Sequence, residues 1–431
     1  MARAKKEAAL TPEERLQAAL VPDWEWPHKL PENWCWVYAP HIFDIEYGKS
    51  LPTKQLSDTG YPVFGANGQI GFYSEYMYKQ PQALMSCRGA YSGTMNKSLP
   101  YSYVTSNSLI ISSPRGLMGT DCIYYLFSAL NVSELISGTA QPQVTVQAFD
   151  GFPIPLSPLA EQQRIVDRIE SLFAKLDEAK EKAQAVVDSF ETRKAAILHK
   201  AFTGELTAKW REEHGVRMES WEKYKFNELG TLERGRSKHR PRNDPKLFGG
   251  KYPFIQTGDV ARSGMYITEH TQTLSEVGAE QSKLFPKGTL CITIAANIGD
   301  VSILTYDCCF PDSVVGFTPN ERTLSEYIYY LMSTLQREIE ANAPATAQKN
   351  INLRILNDLL LDIPSVAEQT QIVNQVEYLF FQEQHAKEAA EAVLDQIDLM
   401  KKSILARAFR GELCTNDPSE ESAVELLKQI F

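Results

Sequence analysis

Ala160-Glu161-Gln162 begins a stretch that ends with Phe202-Thr203-Gly204-Glu205-Leu206, and this whole stretch returns later in the chain. The second copy begins with Ala367-Glu368-Gln369 and ends with Phe409-Arg410-Gly411-Glu412-Leu413, so both ends are shifted by the same 207 positions (160 to 367, 202 to 409). Matched helices require equal spacing, because one inserted residue would rotate every later side chain by about 100°. The repeat therefore predicts two globular modules separated by two helices of equal length.

The apolar residues of both copies follow the seam of a coiled coil, with steps that alternate between four and three residues. In the first copy they are Ile165, Ile169, Leu172, Leu176, Ala179, Ala183, Val186, Phe190 and, after a break at Arg193, Ile197. In the second they are Ile372, Val376, Leu379, Ala386, Ala390, Val393, Ile397, Met400 and Ile404, interrupted only by Glu383. Two unrelated amphipathic helices on separate cores are the alternative, which the shared register disfavours.

Both helices also carry start and stop signals. Ser157-Pro158 suits a helix start, and Ser365-Val366-Ala367-Glu368 matches a capping box, while Gly204 and Gly411 stand where a glycine would end each helix. We expect the two helices to pair antiparallel, with one module at each end of a rod of about 60 Å. The predicted segments are an N-terminal helical arm (1–20), a first module (21–157), a first spacer helix (158–204), a second module (205–364), a second spacer helix (365–411) and a C-terminal docking tail (412–431).

The composition indicates a cytoplasmic protein. No apolar run reaches the roughly 18 residues of a membrane span, and no apolar signal-peptide core follows the basic N-terminus. The seven cysteines form no CxxC pair, which predicts reduced thiols and argues against zinc. An isolated strong DNA binder is usually basic, whereas this chain has a net charge of −10. A nucleic-acid role would therefore need local basic patches or partners that supply positive charge.

The sequence also lacks catalytic motifs. Gly48-Lys49-Ser50 resembles the end of a P-loop, but the required first glycine is replaced by Phe43. There is no GxGxxG, HExxH or GxSxG motif, and no Asn-Pro-Pro-aromatic or Asp-Pro-Pro-aromatic signature of an amino-methyltransferase. We therefore predict a protein without chemistry or cofactors of its own.

The two modules share their framing positions but not their interiors. The leading tryptophans, Trp34 and Trp221, each precede a Gly-basic-Ser motif (Gly48-Lys49-Ser50 and Gly235-Arg236-Ser237) by 14 positions. Further shared features are the steps Tyr61-Pro62 and Tyr252-Pro253 and the closing loops 139–143 and 346–350. Short runs such as Ser108–Ile111 and Leu290–Ile294 predict strands. The fold class is therefore α+β: two mixed α/β modules separated by an antiparallel two-helix coiled coil, with a pseudo-twofold internal repeat.

The ordered set of features, present twice, resembles the specificity subunit of Type I restriction–modification enzymes. The resemblance covers nearly the whole chain, except for the segment before Trp34. It implies two target-recognition domains that each read one half of a bipartite, asymmetric DNA sequence, and helices that space them and dock two methyltransferase (modification) subunits. It also implies that those partners use S-adenosylmethionine and that restriction subunits use ATP and magnesium. The divergent interiors agree with one task performed on two different targets.

Basic and amide side chains near the shared motifs are the candidate DNA-binding residues. Residues 234–246 carry a local charge of +5 on a loop rich in proline and glycine, which suits phosphate contacts. Arginine reads guanine, and asparagine or glutamine reads adenine; a solvated polar loop is the alternative for each position. The candidates are Lys49, Lys54, Asn67, Gln69, Arg88, Tyr91 and Lys97 in the first module, and Arg234, Arg236, Lys238, Arg240, Arg242, Gln256, Thr257, Lys349 and Asn350 in the second.

The shared closing loops, with Gln141, Gln143, Gln348, Lys349 and Asn350, fit a backbone contact or a structural brace better than base discrimination. An enzyme-free scaffold that spaces two protein-binding heads is the alternative function, and an RNA-binding arm is a third.

Each end of the chain carries a capping-box sequence, Thr11-Pro12-Glu13-Glu14 and Asp417-Pro418-Ser419-Glu420. After the second, the residues Val424, Leu426, Leu427, Ile430 and Phe431 form an apolar stripe on a short acidic helix. Such a helix is marginal alone, so we expect it to dock either on its own chain or on a methyltransferase subunit.

Overall fold

A computed structural model describes residues 11–113, 116–238, 241, 243–294, 299–342 and 353–431. The chain forms two compact units: unit 1 comprises Met1–Gln184 and Ala392–Phe431, and unit 2 comprises Ala185–Glu391. Both divisions fall inside the long helices, so each unit holds one module with a section of each helix. The six-segment division made from the sequence remains our proposal.

The helices among the described residues are α1 (Pro12–Ala19), α2 (Thr120–Ala129), α3 (Leu159–Asp188), α4 (Phe190–Phe202), α5 (Ala208–His214), α6 (Thr257–Arg262), α7 (Glu276–Glu280), α8 (Ser325–Asn342), α9 (Leu353–Asn357), α10 (Val366–Ala408) and α11 (Ala423–Lys428). The first spacer helix is thus divided at Ser189 into α3 and α4, whereas the second, α10, is continuous. No helix in the described part of the chain is long and apolar enough to cross a membrane.

The strands of unit 1 are β1 (Cys35–Tyr38), β2 (Asp44–Tyr47), β3 (Tyr61–Gly65), β4 (Gly68–Tyr73), β5 (Ala83–Ser86), β6 (Met95–Lys97), β7 (Tyr103–Val104), β8 (Ser108–Ser112), β9 (Ile136–Ser137), β10 (Gln143–Val144) and β11 (Pro153–Leu156). Those of unit 2 are β12 (Glu222–Lys225), β13 (Gly230–Arg234), β14 (Phe248–Phe254), β15 (Tyr266–Ile267), β16 (Gln272–Leu274), β17 (Leu284–Phe285), β18 (Leu290–Thr293), β19 (Val301–Leu304), β20 (Cys308–Cys309), β21 (Val314–Pro319) and β22 (Leu360–Ile363).

Each module contains two main sheets, which confirms the mixed α/β prediction. In unit 1 the strand orders are β2-β8-β5-β6 and β4-β3-β7, and in unit 2 they are β13-β21-β18-β19-β15 and β16-β14-β20-β17. The two sequence runs predicted as strands are β8 and β18, and both are largely buried.

A short antiparallel ribbon joins the two ends of each module. β1 pairs with β11, so that Cys35 lies opposite Leu156, and β12 pairs with β22, so that Glu222 lies opposite Ile363. The strand after each leading tryptophan therefore lies beside the strand that runs into the next spacer helix. The first and last strands of each module therefore lie together, directly before the start of the spacer helix that follows it.

The two spacer helices run antiparallel within each unit, as predicted. In unit 1, Lys401 contacts Asp177 and Asp398 contacts Lys180, with N–O distances of 2.5 and 3.8 Å. In unit 2, Arg193 Nε lies 2.6 Å from Glu383 Oε2. Arg193 and Glu383 were the two interruptions in the predicted apolar seams, and their pairing explains why neither breaks the helix pair.

Part of the predicted seam of α10 is wrong. Ala386 is exposed, and Val393 and Met400 are 41% and 48% exposed. Partly buried Lys387, Leu394 and Lys401 occupy the seam instead. The ammonium groups of the two lysines lie 4.8 Å from the ring centre of Phe190 and 5.0 Å from that of Phe173, respectively. Lysine stems can cover apolar surface while their charge contacts an aromatic face, so a pattern built from apolar residues alone selected the neighbouring positions.

The helix ends follow the sequence signals with one exception. Gly204 and Gly411 adopt the predicted left-handed φ angles, 78° and 74°, two residues after the end of α4 and three residues after the end of α10, respectively. Ser365 Oγ accepts the N–H of Glu368 at 3.3 Å. The Glu368 carboxylate, however, contacts residues of the second module and not the backbone of Ser365. The predicted capping box is therefore only half formed.

Helix α1 and the C-terminal segment belong to unit 1. Thr11 and Glu14 form the predicted capping box of α1. The second predicted box is wrong, because Asp417 accepts hydrogen bonds from Ser419 in a turn and Glu420 pairs with Arg164.

The C-terminal helix α11 begins only at Ala423, capped by Ser422. Ala423 and Leu427 are fully buried in the core of unit 1, and the Ala423 N–H donates to Asn33 O at 2.9 Å. The C-terminal helix therefore docks on its own chain.

Candidate nucleic-acid interface

The shared Gly-basic-Ser motif has the same physical basis in both modules. A Cβ on Gly48 would lie 2.3 Å from Thr105 O, and one on Gly235 would lie 2.3 Å from Pro311 O. Only glycine allows the backbone to approach this closely. Lys49 and Arg236, which follow these glycines, are both exposed. The module frame thus places one basic side chain at the same point of each module surface.

Replacing either glycine by alanine should destabilise the protein. We expect Gly48→Ala and Gly235→Ala each to lower the free energy of unfolding by about 1–3 kcal/mol, because the added methyl overlaps backbone oxygens. Gly119→Ala is the comparison, since a Cβ there meets nothing within 4 Å; because Gly119 is the N-cap of α2, this variant should lose at most about 1 kcal/mol. Urea denaturation of the three variants measures the difference, and equal stabilities would contradict this reading of the motif.

In unit 1 the structure brings four candidates to one end of the four-stranded sheet: Lys49, Asn67, Arg88 and Tyr91. Lys49 O accepts the N–H of Ser106 at 3.2 Å, and the next residue, Asn107, accepts the N–H of Cys87 at 3.0 Å. Arg88 therefore lies close to Lys49 in the fold. All four candidate side chains are exposed.

Two further contacts hold the loops of this cluster. Ser86 at the end of β5 donates its hydroxyl to Ala66 O, which fixes the turn that presents Asn67. Pro142 O, in the shared closing loop, accepts the N–H of Gly89 at 2.9 Å and the hydroxyl of Ser92 at 2.8 Å. In unit 1 the closing loop therefore braces the loop that carries Arg88 and Tyr91.

The other candidates of the first module lie apart from this cluster. Lys97 pairs with Ala83 at the opposite end of β5, and its ammonium group lies 2.7 Å from Asp121. In this exposed ion pair, Asp121 competes with a DNA phosphate for the Lys97 ammonium group. Lys54 is exposed in a single 3-10 turn, and Gln69 is exposed on β4 opposite Phe64.

In unit 2 the structure brings Arg236 and Gln256 together around a pocket of about 190 Å³. Gln256 caps α6, and its side-chain amide donates to Gln272 Oε1 at 2.7 Å, while Thr257 is the first residue of that helix. Arg234 donates its Nε–H to Asp312 O. Lys238 is exposed. The remaining four candidates, Arg240, Arg242, Lys349 and Asn350, lie outside the described residues.

Unit 1 also carries an exposed group of three tyrosines that the sequence pattern did not predict. Tyr76 lies 4.9 Å from Tyr61 and 5.2 Å from Tyr101 between ring centres, and all three side chains are more than a third exposed. Tyr101 has a φ of 54°, which is uncommon for a bulky residue. Aromatic faces of this kind can stack on bases. The signal in the sequence was tyrosine beside glycine or proline, at Tyr61 and Tyr101.

The leading tryptophan of each module is hydrogen-bonded to the Ala-Glu-Gln motif, a contact that the sequence did not predict. The Trp34 indole N–H donates to Glu161 Oε2 at 2.7 Å, and the Trp221 indole N–H donates to Glu368 Oε2 at 3.1 Å. Both carboxylates are completely buried. The leading tryptophan of each module is therefore bonded to the Ala-Glu-Gln start of the spacer helix that follows that module. Among the described residues no group of His, Cys, Asp and Glu could hold a metal ion.

Known proteins share the two-module organisation of this chain. A model of the Type I restriction modification DNA specificity domain matches residues 31–187 and again residues 218–390. The specificity subunit of the Type I restriction enzyme EcoKI from Escherichia coli K12 is 25% identical, over 93% of this chain and 96% of its own length. The EcoDI specificity subunit from Escherichia coli is 23% identical over 93% and 95%, respectively.

The solved structures agree in fold. The HsdS subunit from Thermoanaerobacter tengcongensis superimposes with a TM-score of 0.61 at 19% identity, covering 90% of this chain and 99% of that one. A chain from a structure on complex assembly and conformational transition of the Type I R-M system gives the same TM-score at 20% identity, with 90% and 100% coverage.

Proposed function

We infer the function of this chain from its family, because it belongs to the Type I restriction–modification DNA specificity proteins and contains their characteristic domain twice. The chain is the DNA-recognition subunit, and it is not catalytic. We propose that each module reads one half of a bipartite, asymmetric DNA target and that the spacer helices set the distance between the halves. One observation carries this proposal: the same module frame presents different polar side chains in the two units.

The two modules share the leading tryptophan and the Gly-basic-Ser motif, but their surfaces differ beyond these shared positions. Unit 1 presents Lys49, Asn67, Arg88 and Tyr91 from one end of a sheet, whereas unit 2 presents Arg236 and Gln256 around a pocket. Bidentate Arg–guanine and Asn or Gln–adenine pairs are the common direct contacts in the major groove. Different arrangements of such side chains favour different half-sequences.

We propose that two methyltransferase subunits dock on the spacer helices, and that restriction subunits join the assembly. S-adenosylmethionine, ATP and magnesium would then be cofactors of these partners, and the assembly would act in the cytoplasm. Exposed apolar side chains on α10 support a docking role, because Tyr378 and Phe381 are 63% and 59% exposed in unit 2. Exposed aromatic side chains of this kind are enriched at protein interfaces.

The test of this function compares the purified chain with its complex. With a net charge of −10, the chain alone should bind duplex DNA weakly at physiological salt, and specific binding should appear when the methyltransferase subunits are added. The partners would add phosphate contacts, each of which steepens the salt dependence. Methylome sequencing of the host should then find one bipartite motif. A complex that forms in a two-to-one ratio but selects no DNA sequence would favour the scaffold instead.

A second prediction tests the docking surface. Tyr378→Glu combined with Phe381→Glu should reduce the co-purified methyltransferase at least about tenfold, since buried aromatic anchors dominate interface energies. Gln382→Glu with Gln384→Glu is the matched control, which adds the same charge at exposed polar positions of the same helix. Wild-type recovery of the partner with the first variant would place the docking surface elsewhere.

A further inference from the structure

In both units the module contacts the spacer helices at two places. The first is the hydrogen bond between the leading tryptophan and the buried glutamate, and the second is a contact between aromatic rings. In unit 1 the Tyr125 ring meets the Phe173 ring edge-on at 6.0 Å, and Lys401 Nζ lies 5.0 Å from the same phenylalanine. In unit 2 the Tyr330 ring meets Phe380 at 5.7 Å, with Lys194 Nζ 5.1 Å away. Each contact joins three elements: the module helix (α2 or α8), the spacer helix after that module, and the opposite spacer helix.

The residues of this contact repeat in the sequence. Phe173 and Phe380 are separated by the 207 positions that relate the two spacer helices, and so are Lys194 and Lys401. The tyrosines belong to two copies of Ile-Tyr-Tyr-Leu, at residues 123–126 and 328–331. Because the module helices repeat with a different spacing from the spacer helices, the contact arises twice from two separate repeats.

At the first contact, the buried glutamate accepts hydrogen bonds from three residues in each unit. Besides Trp34, the buried Glu161 carboxylate accepts from Thr415 Oγ1 at 3.1 Å and Asn416 Nδ2 at 2.9 Å. Besides Trp221, the Glu368 carboxylate accepts from Thr207 Oγ1 at 2.7 Å and Arg211 Nη1 at 2.5 Å.

A buried carboxylate with three donors has one orientation, because losing any donor leaves buried charge unsatisfied. In each unit one donor is the leading tryptophan, and the other two lie in the segment directly after the opposite spacer helix, which in unit 2 is the first part of the second module.

The two contacts together form a two-point attachment. Glu161 and Phe173 are twelve residues apart on α3, and Glu368 and Phe380 are the same distance apart on α10. At 1.5 Å per residue the two points are about 18 Å apart along the helix. Between these points the helix packs in the module core through Ile165, Val166 and Ile169 in unit 1 and through Ile372, Val373 and Val376 in unit 2. The two points therefore fix both ends of a continuous apolar contact and oppose rocking in the plane that contains the helix axis.

We propose that Trp34, Trp221, Phe173 and Phe380 are positioning residues that determine how strictly the protein selects spacer length. They hold each module at one angle on its own section of the spacer helices. A base pair adds about 3.4 Å, so rocking of that size would let a module reach a half-site displaced by one position. This inference rests on the proposed reading of bipartite DNA, and it assigns the strictness of spacing to the attachment points and not to helix length alone.

The test uses two double variants in the complex with the methyltransferase subunits. Trp34→Phe with Trp221→Phe removes the indole donors and keeps the rings, and Phe173→Leu with Phe380→Leu keeps the positions apolar. Trp36→Phe and Phe190→Leu are the matched controls. The Trp36 indole donates to His28 O at 3.0 Å within the module. Phe190 contacts Lys387 and Lys194 of the spacer helices.

The readout is selection from a DNA library with randomised spacer length. With both double variants, targets one base pair longer or shorter than the optimum should gain at least about fivefold relative to it. The half-sequences and the optimum itself should not change. The controls should keep the narrow wild-type distribution even where they lower the melting temperature.

A folded double variant with the wild-type distribution would overturn the inference. If one pair of substitutions prevents folding, the other pair decides. Failure of the wild-type complex to select any bipartite target would instead contradict the proposed function.

Discussion

Adding one heptad to each spacer helix should lengthen the preferred DNA spacer by about three base pairs while leaving both half-sequences unchanged. Seven residues extend a helix by about 10 Å, and base pairs stack at about 3.4 Å. The insertions belong after Ala183 and Ala390, which are buried, are equivalent in the repeat and lie within helices. A whole heptad keeps the seam in phase.

The inserted residues must continue the observed seam of α10, which passes through Leu394 and Ile397 and not through Val393. Selection from a library with randomised spacer length measures the result, and the accompanying twist of about 100° in the duplex will broaden the optimum. A flexible seven-residue insertion after the exposed Gly215 is the control and should leave the spacing unchanged. If the variant with lengthened helices stays active at the original spacing, the helices only brace the modules.

The helix pair was predictable because its signals are local and periodic. The equal offsets at both ends, the glycine stops and the alternating apolar steps follow from helix geometry alone. The pattern could not predict that the charged residues which interrupt the two apolar seams form an ion pair with each other. Arg193 and Glu383 each interrupt one seam, and only the antiparallel register reveals that they face one another. The same holds for Lys401, whose place in the seam depends on the ring of Phe173.

The module frame was visible in the sequence as separate motifs, but its construction was not. Trp34 and Glu161 are 127 positions apart, and nothing local indicates that their side chains bond. The interiors were less predictable still, since loop residues take partners that sequence spacing does not report. Lys97 was proposed for DNA and lies against Asp121, and Asp417 was expected to cap a helix and forms a turn with Ser419. Proximity to the shared Gly-basic-Ser motif is therefore a better guide to candidate DNA-binding residues than positive charge alone.

Arg236→Ala and Gln256→Ala should each weaken binding of the complex to its target by about five- to 150-fold. One good bidentate contact with a base contributes about 1–3 kcal/mol of discrimination. The two side chains line the same pocket, so the double variant should deviate from additivity, as neighbouring positions do. Arg236→Ala should also make the salt dependence shallower if it contacts phosphate. Lys209→Ala is the control, because this lysine on α5 in the same unit is 88% exposed, pairs with Glu213 of its own helix and is not among the candidate DNA-binding residues.

Which half-site loses base preference is more informative than how much binding affinity is lost. If the modules are independent readers, substitutions in unit 2 should relax base preference in one half-site only, and Lys49→Ala should affect the other half. Effects of distant and independent sites add, so Lys49→Ala combined with Arg236→Ala should equal the sum of the single losses. Binding selections with each half-site randomised in turn would measure this. Equal loss of preference in both halves from Arg236→Ala would mean that the two units do not read DNA separately, and the division of labour proposed for the repeat would have to be abandoned.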